Sequence, residues 1–105
     1  MKFSSMNNQA VLREIGDRTR RERLNQNLTQ ETLAQRAGVS RRVILDLEGG
    51  KGCGLSSLIE ILRALRKLDQ LDAFIPDPGI SPIQLAKLRG RERQRASGRR
   101  IKGKE

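Results

Sequence analysis

The 105-residue chain has no histidine, no tryptophan and no tyrosine, and its one cysteine is Cys53. Histidine is the usual general base near neutral pH and a principal zinc ligand, so most acid–base chemistry and most zinc sites drop out with it. No metal, no cofactor and no enzymatic activity are expected. A lone thiol cannot close an internal disulfide. Phe3 and Phe74 are the only aromatic residues, which leaves the core to Leu, Ile, Val and Ala. That palette suits packed helices better than a β-sandwich. No run of about 18 apolar residues exists to anchor the chain in a bilayer. The opening "MKFSSMNNQA" lacks the apolar segment of a secretory leader. A cytoplasmic, nucleoid-associated location is therefore expected, with no membrane partner. "GGKGCG" (49–54) is rich in glycine and carries a lysine, but it lacks the spacing of a phosphate-binding loop.

Positive charge is abundant: 22 Lys and Arg stand against 12 Asp and Glu, a formal net charge of +10. It is unevenly placed. Residues 87–105 hold nine Lys/Arg and two acids, so the remainder carries a net charge of only +3. A polyanionic partner is the natural inference, and nucleic acid fits it best. RNA is disfavoured, because the chain has almost no aromatic side chains on which unpaired bases would stack. The length allows one small domain with tails.

Apolar spacing predicts a series of short helices. The first begins near Val11 and places Leu12, Ile15, Gly16 and Thr19 on one face. "NQNL" (25–28) interrupts it, with Asn25 or Asn27 suited to a left-handed turn. Thr29 reads as the N-cap of a second helix that turns Leu33, Ala34 and Ala37 inward and ends at Gly38. Ser40 caps a third, whose Val43, Ile44 and Leu47 recur at helical period before Gly49 and Gly50. A fourth, from Leu55 to Arg66, carries the stripe Leu55, Leu58, Ile59, Leu62 and Leu65, expected to be core, with Ser56 or Ser57 as cap. "KLDQLDAFIPDP" gives a fifth short element with Leu68, Leu71, Phe74 and Ile75. Ser81 followed by Pro82 starts a further helix of one or two turns over 82–88. The polar, basic remainder is expected to be disordered when free.

Residues 29–48 carry the function. Two short helices are joined by a tight turn, in which Gly38 can take positive φ and Ala34 lets the helices cross closely. Val39, Ile44 and Leu47 fill the angle between them. This is the layout of a helix-turn-helix, whose second helix enters the DNA major groove N-terminus first. Arg41 and Arg42 begin that helix, although its positive end disfavours cations. DNA phosphates would offset that cost, and arginine is the commonest reader of guanine O6 and N7.

"LTQETLAQRAGVSRRVILDLEGGK" resembles the helix-turn-helix of phage-repressor-like regulators of the Xre/Cro family, with Gln30, Ala34, Gly38, Val39, Ser40, Ile44 and Glu48 at the family's motif positions. The resemblance spans about residues 12–75. It implies an all-α, five-helix lambda-repressor-like DNA-binding domain over 11–76. A flexible N-terminus (1–10) precedes it, and a C-terminal extension with a basic tail (77–105) follows. It implies DNA contacts from Thr29, Gln30, Ser40, Arg41, Arg42, Val43, Asp46 and Lys51, and a structural ion pair between Arg23 and Glu48. Leu45 stands where the family usually has a polar residue, and Asp46 where Gln, Arg or Lys is more usual. Two-fold operators call for a two-fold protein, so a homodimer is expected, with Leu71, Phe74 and Ile75 closing the core and forming the seam. The expected function is autoregulatory repression at a palindromic double-stranded operator. "IPDPGISPIQLAKLRGRERQRAS" is similar to the extension of HipB-like antitoxins encoded beside HipA-like kinase toxins. That similarity implies a toxin kinase as a second partner.

Overall fold

Asn7 sets the start of the first helix: its Oδ1 accepts a hydrogen bond from the Ala10 amide at 2.8 Å, meeting a donor that the first turn cannot pair internally. In the computed structural model, which describes residues 2–97, α1 (Asn8–Asn25) is followed by α2 (Gln30–Ala37), α3 (Arg41–Glu48), α4 (Leu55–Ala64), the short α5 (Leu71–Phe74) and α6 (Pro82–Ser97). Single 3₁₀ turns form at Phe3–Ser5 and Leu68–Gln70. All regular structure among the described residues is helical. The chain divides into two units between Ile75 and Pro76.

In the first unit α3 packs on α1 and α2, and α2 packs on α4. The core is Leu28, Leu33, Ala34, Ala37, Ile44, Leu47, Ile61 and Leu65, flanked by Ile15, Val39, Val43, Cys53, Leu58 and Ala64. The turn between α2 and α3 closes as its composition requires. Gly38 adopts φ 71°, and the Val39 amide donates to the Ala34 carbonyl at 3.1 Å, a six-residue closure that ends α2 without an orphaned carbonyl. Asn27, rather than Asn25, takes the left-handed conformation before α2, with φ 58°.

Three expectations for the first unit are corrected. The first helix starts earlier than Val11: α1 begins at Asn8, and the Arg18 guanidinium lies 4.5 Å from the centroid of the Phe3 ring, a cation–π contact between the 3₁₀ turn and the helix. The buried side of α4 is also rotated. Ile61 and Leu65 are fully enclosed, whereas Leu55 is 72% exposed. Residues 58, 61 and 65 follow the i, i+3, i+7 spacing of the inward face, and Leu55, Ile59 and Leu62 form a second apolar side. Gly54 stands at the N-cap of α4, with no side-chain bond, in place of the serines.

The C-terminal end of α4 contains a local conflict. The Lys67 amide donates to the Leu62 carbonyl at 2.8 Å, a closure that puts Arg66 at φ 61°. An L-residue there is disfavoured by about 1 kcal/mol or more, and glycine is the usual solution. Arg66→Gly is therefore expected to stabilise the domain by about 0.5–1 kcal/mol, seen as a rise of a few degrees in the thermal midpoint.

In the second unit the Gly79 amide donates to Asp77 Oδ1 at 3.0 Å, and the Gln84 amide to Ser81 Oγ at 3.2 Å. Ser81 and Pro82 thus begin α6 in the expected way. The helix runs on to Ser97 instead of ending at residue 88. Arg, Glu, Gln and Ala are all good helix formers, and the charge run that read as disorder extends the helix. Residues 98–105 of the basic tail lie outside the described residues.

Candidate nucleic-acid interface

The third helix is fixed from beneath. Ile44 is wholly buried and Leu47 is 3% exposed, so the side of α3 carrying positions 44 and 47 faces inward and the side carrying 41, 42 and 45 faces out. Gly16 of α1 is the contact point below the C-terminal end of α3: a Cβ there would overlap the Leu47 carbonyl oxygen and lie 3.0 Å from that of Glu48. Only glycine lets the two backbones approach this closely.

An ion pair joins the same place to the other helices. Arg23 Nε donates to Glu48 Oε2 at 2.7 Å and Nη2 to Oε1 at 2.9 Å, while Nη1 donates to the Leu28 carbonyl at 2.8 Å. Both side chains are nearly inaccessible, at 7% and 4%. Hydrogen bonding to the Glu48 carboxylate raises the Arg23 pKa further above its ordinary value. Gln30 Nε2 also donates to Glu48 Oε1, at 3.2 Å. The last residue of α3 thereby holds the end of α1 and the first residue of α2.

Above this frame the residues expected at the interface fall into three groups. Arg41 and Arg42 are exposed at the start of α3 and Lys51 is exposed in the following loop. The Lys51 amide donates to the Asp46 carbonyl at 2.8 Å, which sets the loop against the helix end. Thr29 and Ser40 are exposed but serve as caps. The Thr32 amide donates to Thr29 Oγ1 at 3.0 Å, and the Val43 amide to Ser40 Oγ at 3.3 Å. Gln30 is half-buried through its bond to Glu48, and Val43 is half-buried against the core, at the margin of the outward face. An open cleft lined by Arg23, Thr29, Gln30, Glu31 and Arg41 separates the α2 N-terminus from the start of α3.

Two features of this surface had only partial signals in the sequence. Arg42 Nε lies 3.3 Å from Asp46 Oδ1, a pair announced by the i, i+4 spacing. Leu45 is 40% exposed on the same side, a position that the helical period places beside Arg41 and Arg42. The Glu48–Gln30 bond spans 18 residues and had no local signal.

The expected dimer residues lie elsewhere. Leu71 is half-buried, while Phe74 and Ile75 are 68% and 72% exposed. Cys53 is half-buried, and desolvation pushes its thiol pKa upward, away from the thiolate that reacts or binds metal. Among the described residues, no group of three or more His, Cys, Asp or Glu is arranged to hold a metal ion. No described helix is long and apolar enough to cross a membrane.

A family model described as helix-turn-helix matches residues 20–71. That span runs from the later turns of α1 through the first residue of α5. No curated protein matches the chain.

Proposed function

From a chain whose residues 20–71 belong to the helix-turn-helix family, and which is thereby a DNA-binding regulator, we propose a sequence-specific repressor that acts as a homodimer on a palindromic operator. The observation that carries this reading is the outward presentation of Arg41 and Arg42 at the first turn of α3, over a core that fixes that helix through Ile44 and Leu47. Two cations at a helix N-terminus oppose the helix dipole. Arg41 has no ion-pair partner among the described residues. A phosphate backbone supplies the missing negative charge, and a base edge supplies the acceptors.

Lys51 is assigned to the backbone beyond α3, and Thr29 and Gln30 to the backbone at the α2 N-terminus. Ser40 caps the reading helix, Val43 borders it, and Asp46 completes its outward side. In a dimer the two reading helices would stand about 34 Å apart, one turn of B-DNA. Phe74 and Ile75, with Leu71 beside them, are exposed apolar residues of the same unit and supply the seam. Operator binding places the protein on the nucleoid, and no part of the proposed role is enzymatic.

The test is quantitative binding to a selected operator and to random duplex. The Arg41→Ala/Arg42→Ala double variant is expected to lose about 2–6 kcal/mol of operator affinity and most of its discrimination. Unchanged affinity and unchanged discrimination would refute the assignment.

A second reading is favoured by the second unit. α6 and the turn before it expose Ile80, Ile83, Leu85 and Leu88, apolar side chains that DNA binding by α3 does not use. An antitoxin that holds a HipA-like kinase through this segment, while repressing its own operon, accounts for them.

A further inference from the structure

α6 divides along its length. Its large apolar side chains, Ile83, Leu85 and Leu88, stop at residue 88. From residue 87 to 95 every second residue is a cation: Lys87, Arg89, Arg91, Arg93 and Arg95. Glu92 is the one acid among them, so this stretch keeps a net charge of +4. At about 100° per residue, positions 87, 91 and 95 align along one side of the helix, and 89 and 93 along the opposite side. Both rows repeat like charge at i, i+4, which weakens a helix, and Gly90 between them weakens it further. Lys87, Arg89 and Arg91 are exposed. Nothing among the described residues lies within 4 Å of a Cβ placed at Gly90. DNA reading by α3 uses none of this charge.

A polyanion would offset it, and the arrangement favours duplex DNA. A helix lying on an anionic membrane needs an apolar side opposite its cations. Here the apolar residues precede the cations along the axis instead. Unpaired RNA bases need aromatic side chains to stack on, and residues 75–105 contain none. A duplex backbone needs only regularly spaced charge. Four residues of helix rise by about 6 Å, so the row through 87, 91 and 95 is about 12 Å long. A DNA strand carries a phosphate about every 3.4 Å of its axis, so that row lies along about three of them. Residues 76–81 also tie α6 to a DNA-binding unit, with a reach of at most about 20 Å. Once α3 is seated, that tether keeps α6 at high local concentration beside the same duplex.

We propose that the basic half of α6 is a second, sequence-independent DNA contact, which follows the phosphate backbone beside the operator and is reinforced as a helix by those phosphates. This rests on the DNA-binding reading above and adds to it a surface outside the helix-turn-helix.

The experiment uses the full chain. Wild type is compared with Lys87→Gln/Arg89→Gln/Arg91→Gln/Arg93→Gln/Arg95→Gln and with the charge-keeping Arg89→Lys/Arg91→Lys/Arg93→Lys/Arg95→Lys. Each is titrated over a range of salt against a selected operator, random duplex, a structured RNA and anionic phospholipid vesicles. Glutamine and lysine are about as good helix formers as arginine, and thermal melting checks the first unit. The glutamine variant should bind operator and random duplex about tenfold more weakly at low salt, with their ratio held within about twofold. Its slope of log affinity against log salt should be shallower by about 2–3, because one side of the helix meets the duplex. The lysine variant should match wild type. Duplex should raise the helical circular dichroism of wild type more than that of the glutamine variant. Unchanged affinity and salt slope in the glutamine variant overturn the proposal. So does a loss of operator discrimination in it, or a charge-dependent preference of α6 for the RNA or the vesicles over random duplex. Failure of wild type to bind any duplex would instead remove the DNA-binding reading, and the proposal with it.

Discussion

Glu48→Ala is expected to destabilise the protein by about 3–5 kcal/mol, measured by urea unfolding followed by circular dichroism. Removing the carboxylate strips the Arg23 guanidinium of two of its three hydrogen bonds and leaves it only the Leu28 carbonyl, in a site where the Arg23 side chain is 7% exposed. An unpaired buried cation costs far more than a lost surface ion pair. The Gln30 amide loses its bond in the same change. Small domains have total stabilities of about 5–15 kcal/mol, so at the lower end of that range the variant would retain only about 0–2 kcal/mol. The double replacement Arg23→Met/Glu48→Leu is the informative partner. It removes both charges and restores apolar volume, and it should recover most of the lost stability. Operator affinity should then return as well, unless the orientation of Gln30 by Glu48 contributes to the contact. A single variant as stable as wild type would show that this pair does not hold the three helices together.

Gly16→Ala is expected to destabilise by about 2 kcal/mol, opposite in sign to its intrinsic effect. Alanine is the better helix former by about 1 kcal/mol. At position 16, however, its Cβ would meet the Leu47 carbonyl oxygen within contact distance and the Glu48 carbonyl oxygen at 3.0 Å. These are backbone atoms and cannot rotate away, so α1 and α3 must separate. Overpacking of this kind costs about 1–3 kcal/mol or more. Gly90 in α6 is the internal control, since nothing lies within 4 Å of the corresponding Cβ. Gly90→Ala should raise helix content. If Gly16→Ala melts above wild type, the close crossing of α1 under α3 is wrong.

What could be read from the sequence follows the range of the interactions involved. Thr29, Ser40 and Gly38 act within four residues of themselves, through caps and a left-handed turn, and each is legible as local chemistry, whereas the sequence leaves Asn25 and Asn27 as alternatives for the turn before α2. The inward faces of α2 and α3 are legible because Leu33, Ala34 and Ala37, and Ile44 and Leu47, recur at helical period, although Leu45 adds an apolar residue to the outward side of α3. α4 is apolar on two sides, so spacing alone could not choose between Leu55, which is exposed, and Ile61, which is buried. The extent of α6 is not legible, because dense charge resembles a solvated tail even where the residues are strong helix formers. The Arg23–Glu48 pair spans 25 residues and was expected only from the family resemblance. The Gln30–Glu48 bond, which draws Gln30 partly under the surface, had no such pointer. At the interface, charge and helical period place Arg41 and Arg42 outward, and the i, i+4 spacing announces the Arg42–Asp46 pair.

The most direct test of α3 as the DNA-reading element is a titration of isotopically labelled protein with a selected operator duplex, followed by amide and side-chain NMR shifts. The largest changes should fall on Gln30, Arg41, Arg42, Leu45, Asp46 and Lys51, with the enclosed Ile61 and Leu65 moving little. Changes concentrated on α4 and α5, with the outward face of α3 unmoved at saturating duplex, would contradict it.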